Sequence, residues 1–254
     1  MSNPPSRYNV LGVGVSALTL AQACELVLGV RGTTRRGYVC LGTAHGLTEA
    51  RADPALRRIY NASWLTTPDG MPLVWLGPRG VQRVYGPDLL LAVCAAGRAT
   101  GLRHYFFGGT PGVAEELREK LCARFPGLQV VGTFTPPFRP LAPGETAALR
   151  IAVARARPDV IWVGLSTPKQ ERFMAEHWQS LEAGVLIGVG AAFDFHSGRV
   201  RQAPRWIQRS GFEWLFRLCM EPRRLGLRYL KTNPLFVLRV LAQWSGLKKY
   251  PLDS

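Results

Sequence analysis

The sequence predicts an α/β fold: a mostly parallel sheet with flanking helices, followed by a basic C-terminal helical appendage. Three observations predict it. Short, almost unbroken apolar runs such as Val160-Ile161-Trp162-Val163 and Val185-Leu186-Ile187-Gly188-Val189 suit strands buried on both faces. Helical stretches lie between the runs, and strands alternating with crossover helices build a parallel sheet. After Arg199 the apolar spacing turns helical and the residues between become cationic.

Along the chain, strands are predicted from Tyr8 to Val13, Gly37 to Gly42, Trp64 to Thr67, Arg103 to Gly108, Gln129 to Thr133, Val160 to Gly164 and Gly184 to Val189. Helices are predicted from Thr19 to Leu28, Pro111 to Phe125, Gly144 to Ala156 and Pro168 to Leu181. Val113, Leu117, Leu121 and Phe125 are spaced for one buried helix face, with Pro111 in the first turn. No internal repeat is present. The arrangement is Rossmann-like, over a core of residues 1–198 and an appendage of 199–254. In the appendage, Pro204 to Met220 has helical spacing, Glu221-Pro222 breaks it, and Arg223 to Lys231 and Pro234 to Gly246 follow as separate amphipathic pieces.

Composition bounds the function. With 254 residues, 47% hydrophobic and 19% charged, the chain is globular and long enough for a sizeable core. Its 32 Lys and Arg against 17 Asp and Glu leave a net charge of +15, which favours phosphorylated ligands, anionic lipid or nucleic acid. The surplus is uneven: Arg199 to Ser254 holds twelve cations against Glu213, Glu221 and Asp253. Basic amphipathic helices carrying Trp and Phe suit a membrane surface; a helical hairpin with solvated arginines is the alternative. The five cysteines are scattered without a CxxC pair, which argues against a disulfide framework or a zinc site and for a reducing compartment. No signal-peptide core and no run of 18 apolar residues are present, so neither secretion nor a transmembrane helix is expected.

One acid stands out. Asp69 lies on the Pro68-Asp69-Gly70 turn between apolar stretches, where Pro fixes φ and Gly permits φ > 0. Alone, such an acid is ordinarily just a turn residue. Three strand ends add Gly-rich turns: Phe107 to Gly112, Val163 to Pro168 and Val189 to Asp194. Ligands of open α/β sheets bind beyond the carboxyl ends of strands, and helix N-termini there hold phosphate. Neither GxGxxG nor a P-loop is present, so these turns suggest a nucleotide or sugar-phosphate crevice without specifying it, and tight packing explains any one of them alone.

Ordered motifs spanning about Asn9 to Leu241 make the chain resemble the WecG/TagA/CpsF family of bacterial glycosyltransferases. They include Asp53-Pro54, Pro68-Asp69-Gly70-Met71-Pro72-Leu73-Val74-Trp75, Arg83-Val84-Tyr85-Gly86-Pro87-Asp88-Leu89 and Gly108-Gly109-Thr110-Pro111-Gly112. Further along come Gly164-Leu165-Ser166-Thr167-Pro168-Lys169-Gln170-Glu171, Gly188 to Phe195, Arg201 to Trp206, and Glu213-Trp214-Leu215-Phe216-Arg217 through Arg224.

The resemblance implies an inverting transfer of a sugar, of N-acetylmannosamine type, from a UDP-sugar to a polyprenyl-diphosphate-linked saccharide for teichoic acid or other surface polysaccharide. A glucosyl or mannosaminuronyl donor for exopolysaccharide is the alternative; a non-enzymatic basic nucleotide- or nucleic-acid-binding module is a remote one. It implies no cofactor and no metal, and no DxD pair is present. By the resemblance Asp69 is the general base and Thr43, His45, Arg83, Gln170, Arg217, Arg224 and Arg228 bind substrate. The Gly-rich corners, with Gly108, Gly109, Gly164, Lys169, Gly190 and Asp194, are the expected nucleotide contacts. Expected partners are the UDP-sugar, the lipid-linked acceptor, an anionic membrane on its cytoplasmic face and a second copy of the chain, but not nucleic acid. One departure stands out: Thr43 occupies a position where many members carry Asn, and Leu41 one where Thr is usual. His45 is open between a functional and a structural role, and His104, His177 and His196 have no partner pattern.

Overall fold

A computed structural model describes residues 5–252, apart from the side chains of residues 224, 227 and 228. In chain order the elements are β1 (Arg7–Val10), β2 (Val13–Ser16), α1 (Leu20–Leu28), β3 (Gly37–Gly42), α2 (Ala44–Ala52), α3 (Pro54–Ala62) and β4 (Leu65–Pro68). Next come α4 (Met71–Leu76), α5 (Gly86–Thr100), β5 (Arg103–Gly108), α6 (Val113–Arg124), β6 (Gln129–Phe134), α7 (Pro143–Ala156) and β7 (Val160–Gly164). The last are α8 (Lys169–His177), β8 (Val185–Gly188), α9 (Ala192–His196), α10 (Arg205–Ser210), α11 (Glu213–Met220) and α12 (Pro222–Trp244). A six-stranded sheet has the order β4-β3-β8-β7-β5-β6, and β1-β2 form a separate antiparallel pair. The α/β expectation holds, with crossover helices between parallel strands.

The chain divides into two compact units. One comprises residues 20–40 and 86–200. Here β3, β8, β7, β5 and β6 pair in parallel, and the central strands are the runs that read as buried on both faces. Trp162, Ile187 and Phe106 have no exposed surface. On α6, Val113, Leu117 and Leu121 are buried as their spacing predicts. The helix starts at Val113 rather than Pro111, because Gly112 at its N-cap takes a left-handed φ of 85° that ends the preceding turn. The helix expected to reach Leu181 stops at His177, beyond which the chain tightens into turns.

The other unit comprises residues up to 19, 41–85 and those from 201 onward. The single strand expected from Tyr8 to Val13 is instead the β1-β2 hairpin. Its turn residues Leu11 and Gly12 both have positive φ, 56° and 87°, as a two-residue turn of type I′ requires. The sequence signal is weak there because Leu, not Asn or Gly, holds the first position. Gln243 Oε1 accepts from the Leu11 amide at 2.8 Å, and the Tyr250 carbonyl accepts from Asn9 Nδ2 at 2.6 Å. The helix expected from Pro204 to Met220 is two, α10 and α11, split at Gly211, whose φ is 83°. The two pieces expected after Glu221 are one helix, α12. Leu225, Tyr229, Thr232 and Phe236 are buried along one stripe that runs past Pro234 without a break. Pro234 is exposed, so the carbonyl it leaves without a donor faces water rather than core.

The first unit also holds a buried polar pair. Trp162 Nε1 donates to His104 Nδ1 at 3.0 Å, with the rings stacked at an interplanar angle of 7°. Burial pulls the His104 pKa from its ordinary 6.5 down to about 4. Because the folded value lies below the unfolded one, the contribution to stability is complete above pH 6.5 and is lost as pH falls towards 4. Urea unfolding of the wild type is therefore expected to lose up to about 3 kcal/mol through this group between pH 6.5 and 4. His104→Gln should show a visibly smaller loss over the same range; equal losses in the two proteins would show that His104 is accessible to protons when folded.

Candidate active site

Asp69 follows the last residue of β4, and its amide donates to the Gly42 carbonyl at the end of β3 at 3.0 Å. The Gly70 amide shares that carbonyl at 3.3 Å. Gly70 has φ −87° and ψ 141°, an extended conformation open to any residue, so the turn does not use glycine for positive φ as the sequence suggested. Nor does close approach demand glycine: a Cβ there would sit 4.0 Å from the Thr43 Cα and the Ala44 nitrogen, an ordinary contact distance. The acid loop therefore lies against the start of α2. Gly70 is also the N-cap of α4, whose first turn carries Pro72.

Thr43 caps α2, its hydroxyl accepting from the Gly46 amide at 3.0 Å. Asn serves that position as well as Thr, which accounts for either residue being compatible with this helix start. His45 follows in the first turn and is half-buried.

Arg83 runs back along the same loop, with the Val84 amide bonded to the Pro68 carbonyl at 2.9 Å. Its guanidinium is engaged at all three nitrogens. Nε donates to the Asp69 carbonyl, Nη1 to the Gln208 carbonyl at 3.1 Å, and Nη2 to Glu213 Oε2 at 2.5 Å. Asp69 Oδ1 lies 3.8 Å from Nη2. Tyr85 donates its phenolic proton to Glu213 Oε1 at 2.5 Å, and its ring centroid lies 4.0 Å from the guanidinium carbon. Burial pulls the Arg83 pKa down, but Asp69 and Glu213 more than offset it, and the net shift is upward. Burial, then the Glu213 charge and hydrogen bond, push the Tyr85 pKa far up, so its hydroxyl stays a donor.

Glu213 is thus part of the site, though sequence reasoning did not select it. Its signal was present: it is one of three acids among twelve cations after residue 198. Arg217, one helical turn further on α11, is half-buried. Arg224 and Arg228 fall on α12, but their side chains lie outside the described residues.

In the other unit, the Gly-rich corners sit at the carboxyl ends of the adjacent strands β5, β7 and β8. The Gly109 amide donates to the Gly164 carbonyl at 3.0 Å. A Cβ on Gly108 would meet that carbonyl oxygen at 2.6 Å, and one on Gly164 would meet the buried Phe193 ring at 2.5 Å. The glycines thus let three corners close on one another. Gly190 continues the set, its amide 3.4 Å from the Val163 carbonyl. Gln170 is 4% exposed, and its Nε2 donates to Glu171 Oε1 at 3.1 Å and the Gly188 carbonyl at 3.4 Å. Both neighbours only accept, which fixes the amide with its nitrogen towards them; Gln170 Oε1 is buried without a hydrogen-bond partner among the described residues. Lys169 is exposed, with its ammonium 4.3 Å from the Phe138 ring centroid. Asp194 lies on α9 and is half-buried. Among the described residues, no group of three or more His, Cys, Asp or Glu is placed to hold a metal ion.

Residues 8–250 match the model described as Glycosyl transferase WecG/TagA/CpsF family, so the chain belongs to that family and is a glycosyltransferase. It is similar to the N-acetylglucosaminyldiphosphoundecaprenol N-acetyl-beta-D-mannosaminyltransferase of Bacillus subtilis (strain 168), 26% identical over 196 residues, 76% of this chain and 74% of that one.

The close approach at Gly164 has a measurable consequence. Gly164→Ala is expected to cost about 1–3 kcal/mol, because Phe193 has no free space to yield into. Thermal unfolding should fall by several degrees. An unchanged midpoint would show that the corners are not tightly closed.

Proposed function

We infer that this protein transfers an N-acetylmannosamine-type sugar from a UDP-sugar to a polyprenyl-diphosphate-linked saccharide, with inversion and without a metal ion. The B. subtilis relative's name, which specifies a mannosaminyl transfer to a diphosphoundecaprenol-linked sugar, supports the substrate class. The observation that carries the chemistry is Asp69, fixed at the end of β4 by the Gly42 carbonyl and by Arg83. In this reading the acceptor hydroxyl attacks the anomeric carbon, its proton passes to the Asp69 carboxylate, and the bond to the nucleotide diphosphate breaks. The expelled diphosphate takes the negative charge, and arginines suit it because their planar forks bind phosphate oxygens in pairs. Arg217, Arg224 and Arg228 are assigned this part. Gln170, with an unused buried acceptor, is assigned to a donor-substrate N–H or O–H group.

In this reading the lipid-linked acceptor is met at a membrane, assigned here to the cytoplasmic face, and α12 supplies a surface for it. No helix among the described residues is long and apolar enough to cross a membrane. However, Leu230, Val237, Leu241 and Trp244 are exposed at 70%, 54%, 52% and 84%, in a helical stripe about a third of a turn round from the buried one. An apolar stripe on a helix that also exposes Arg223 and Lys231 suits an anionic bilayer interface.

Asp69→Asn is expected to lower kcat by about a hundredfold or more while the UDP-sugar dissociation constant stays within about threefold. Wild-type turnover in that variant would refute the base assignment, and a rate abolished by EDTA would refute the metal-free one. Leu241→Ser with Trp244→Ser should weaken binding to phosphatidylglycerol-containing vesicles about tenfold and leave donor binding intact. Unaltered vesicle affinity would show that the stripe meets something other than lipid.

A further inference from the structure

We propose that Glu213 is a positioning residue for the transfer: through Arg83 it holds the Asp69 loop in its working geometry. The proposal rests on Asp69 being the base. Glu213 is 8% exposed, and a carboxylate buried to that degree is costly unless fully partnered. Here each oxygen has its own partner: Oε2 takes Arg83 Nη2 and Oε1 takes the Tyr85 hydroxyl, both at 2.5 Å. The Tyr85 ring also lies against the guanidinium, 4.0 Å from its carbon to the ring centroid. Ion pair and ring together fix both the position and the plane of the Arg83 fork.

That fixed fork does two things at Asp69. Its Nε holds the Asp69 carbonyl, while the Gly42 carbonyl holds the Asp69 amide at 3.0 Å. The base is therefore gripped on both sides of its own Cα, which fixes the root from which its carboxylate projects. The fork also keeps its shortest ion pair for Glu213, at 2.5 Å, against 3.8 Å to Asp69 Oδ1. Without Glu213, the nearest anion left for the guanidinium is the Asp69 carboxylate, and a full pair there would occupy the oxygen that must take a proton. Glu213 touches no reacting atom in this account. It acts by keeping Arg83 on the loop backbone and off the base.

The test is steady-state kinetics with thermal unfolding on Glu213→Gln, Tyr85→Phe and their double variant, with Asp69→Asn in parallel. Glu213→Gln preserves volume. It should lower kcat tenfold or more with donor KM within threefold and a midpoint within a few degrees of wild type. Tyr85→Phe removes one restraint on Glu213 and should lower kcat severalfold. The double variant should be no slower than Glu213→Gln, because both act through one fork. A Glu213→Gln enzyme with kcat within twofold of wild type, or two effects that simply multiply, would overturn the positioning role. Turnover by Asp69→Asn would instead sink the base reading itself, so the two failures are distinguishable.

Discussion

Arg83 gathers partners from three separated stretches of sequence onto one guanidinium. The Asp69 carbonyl comes from the end of a sheet strand, the Gln208 carbonyl from α10 and the Glu213 carboxylate from α11. None of these contacts is strong evidence of stability by itself, since a buried ion pair repays little beyond its desolvation. Their value is geometric. A planar fork with every nitrogen committed can occupy only one pose, and that pose dictates where the acid loop sits. The remaining local features are consistent with it: Gly42 closes on the loop from the other side, and the loop lies against the start of α2.

Much of the fold was legible because its signals are local. Val160–Gly164 and Arg103–Gly108 are apolar runs whose limits match the strands, and the buried stripe of α6 follows from its spacing alone. Elements were misread where a non-local contact or an atypical residue decided the outcome. Leu11 in a left-handed turn resembles no standard hairpin signal, and the amide of that turn is met by Gln243 from far along the chain. The break expected around Pro234 fails because a continuous buried stripe outweighs the loss of one solvent-facing hydrogen bond. Helices α2, α3 and α4, of nine, nine and six residues, went unassigned, because such short stretches between motifs give little periodicity to count.

The site was legible in part. Asp69 and Arg83 stand in ordered motifs, and the folded chain brings them within 3.8 Å of each other. Glu213 was visible as an acid in a cationic tail and as the first residue of an ordered motif; what it does depends on a partner 130 positions away. The Gly-rich corners were read as a ligand feature, and their folded geometry adds a mechanical reason for the same residues, since Gly108 and Gly164 let adjacent strand ends meet. Packing and recognition are compatible demands on one glycine, so sequence alone could not apportion them.

The bonds from Gln243 and Tyr250 to the β1-β2 hairpin tie the far end of α12 to the beginning of the chain. The last fifth of the polypeptide is therefore a clasp rather than a detachable arm. Cutting it away would strand the Leu11 amide and take away the buried side chains of Leu225 and Phe236, exposing the surface they cover. Shortened forms of this enzyme would thus lose folding strength along with whatever else the segment does, whereas single changes on its outward stripe leave the fastening intact.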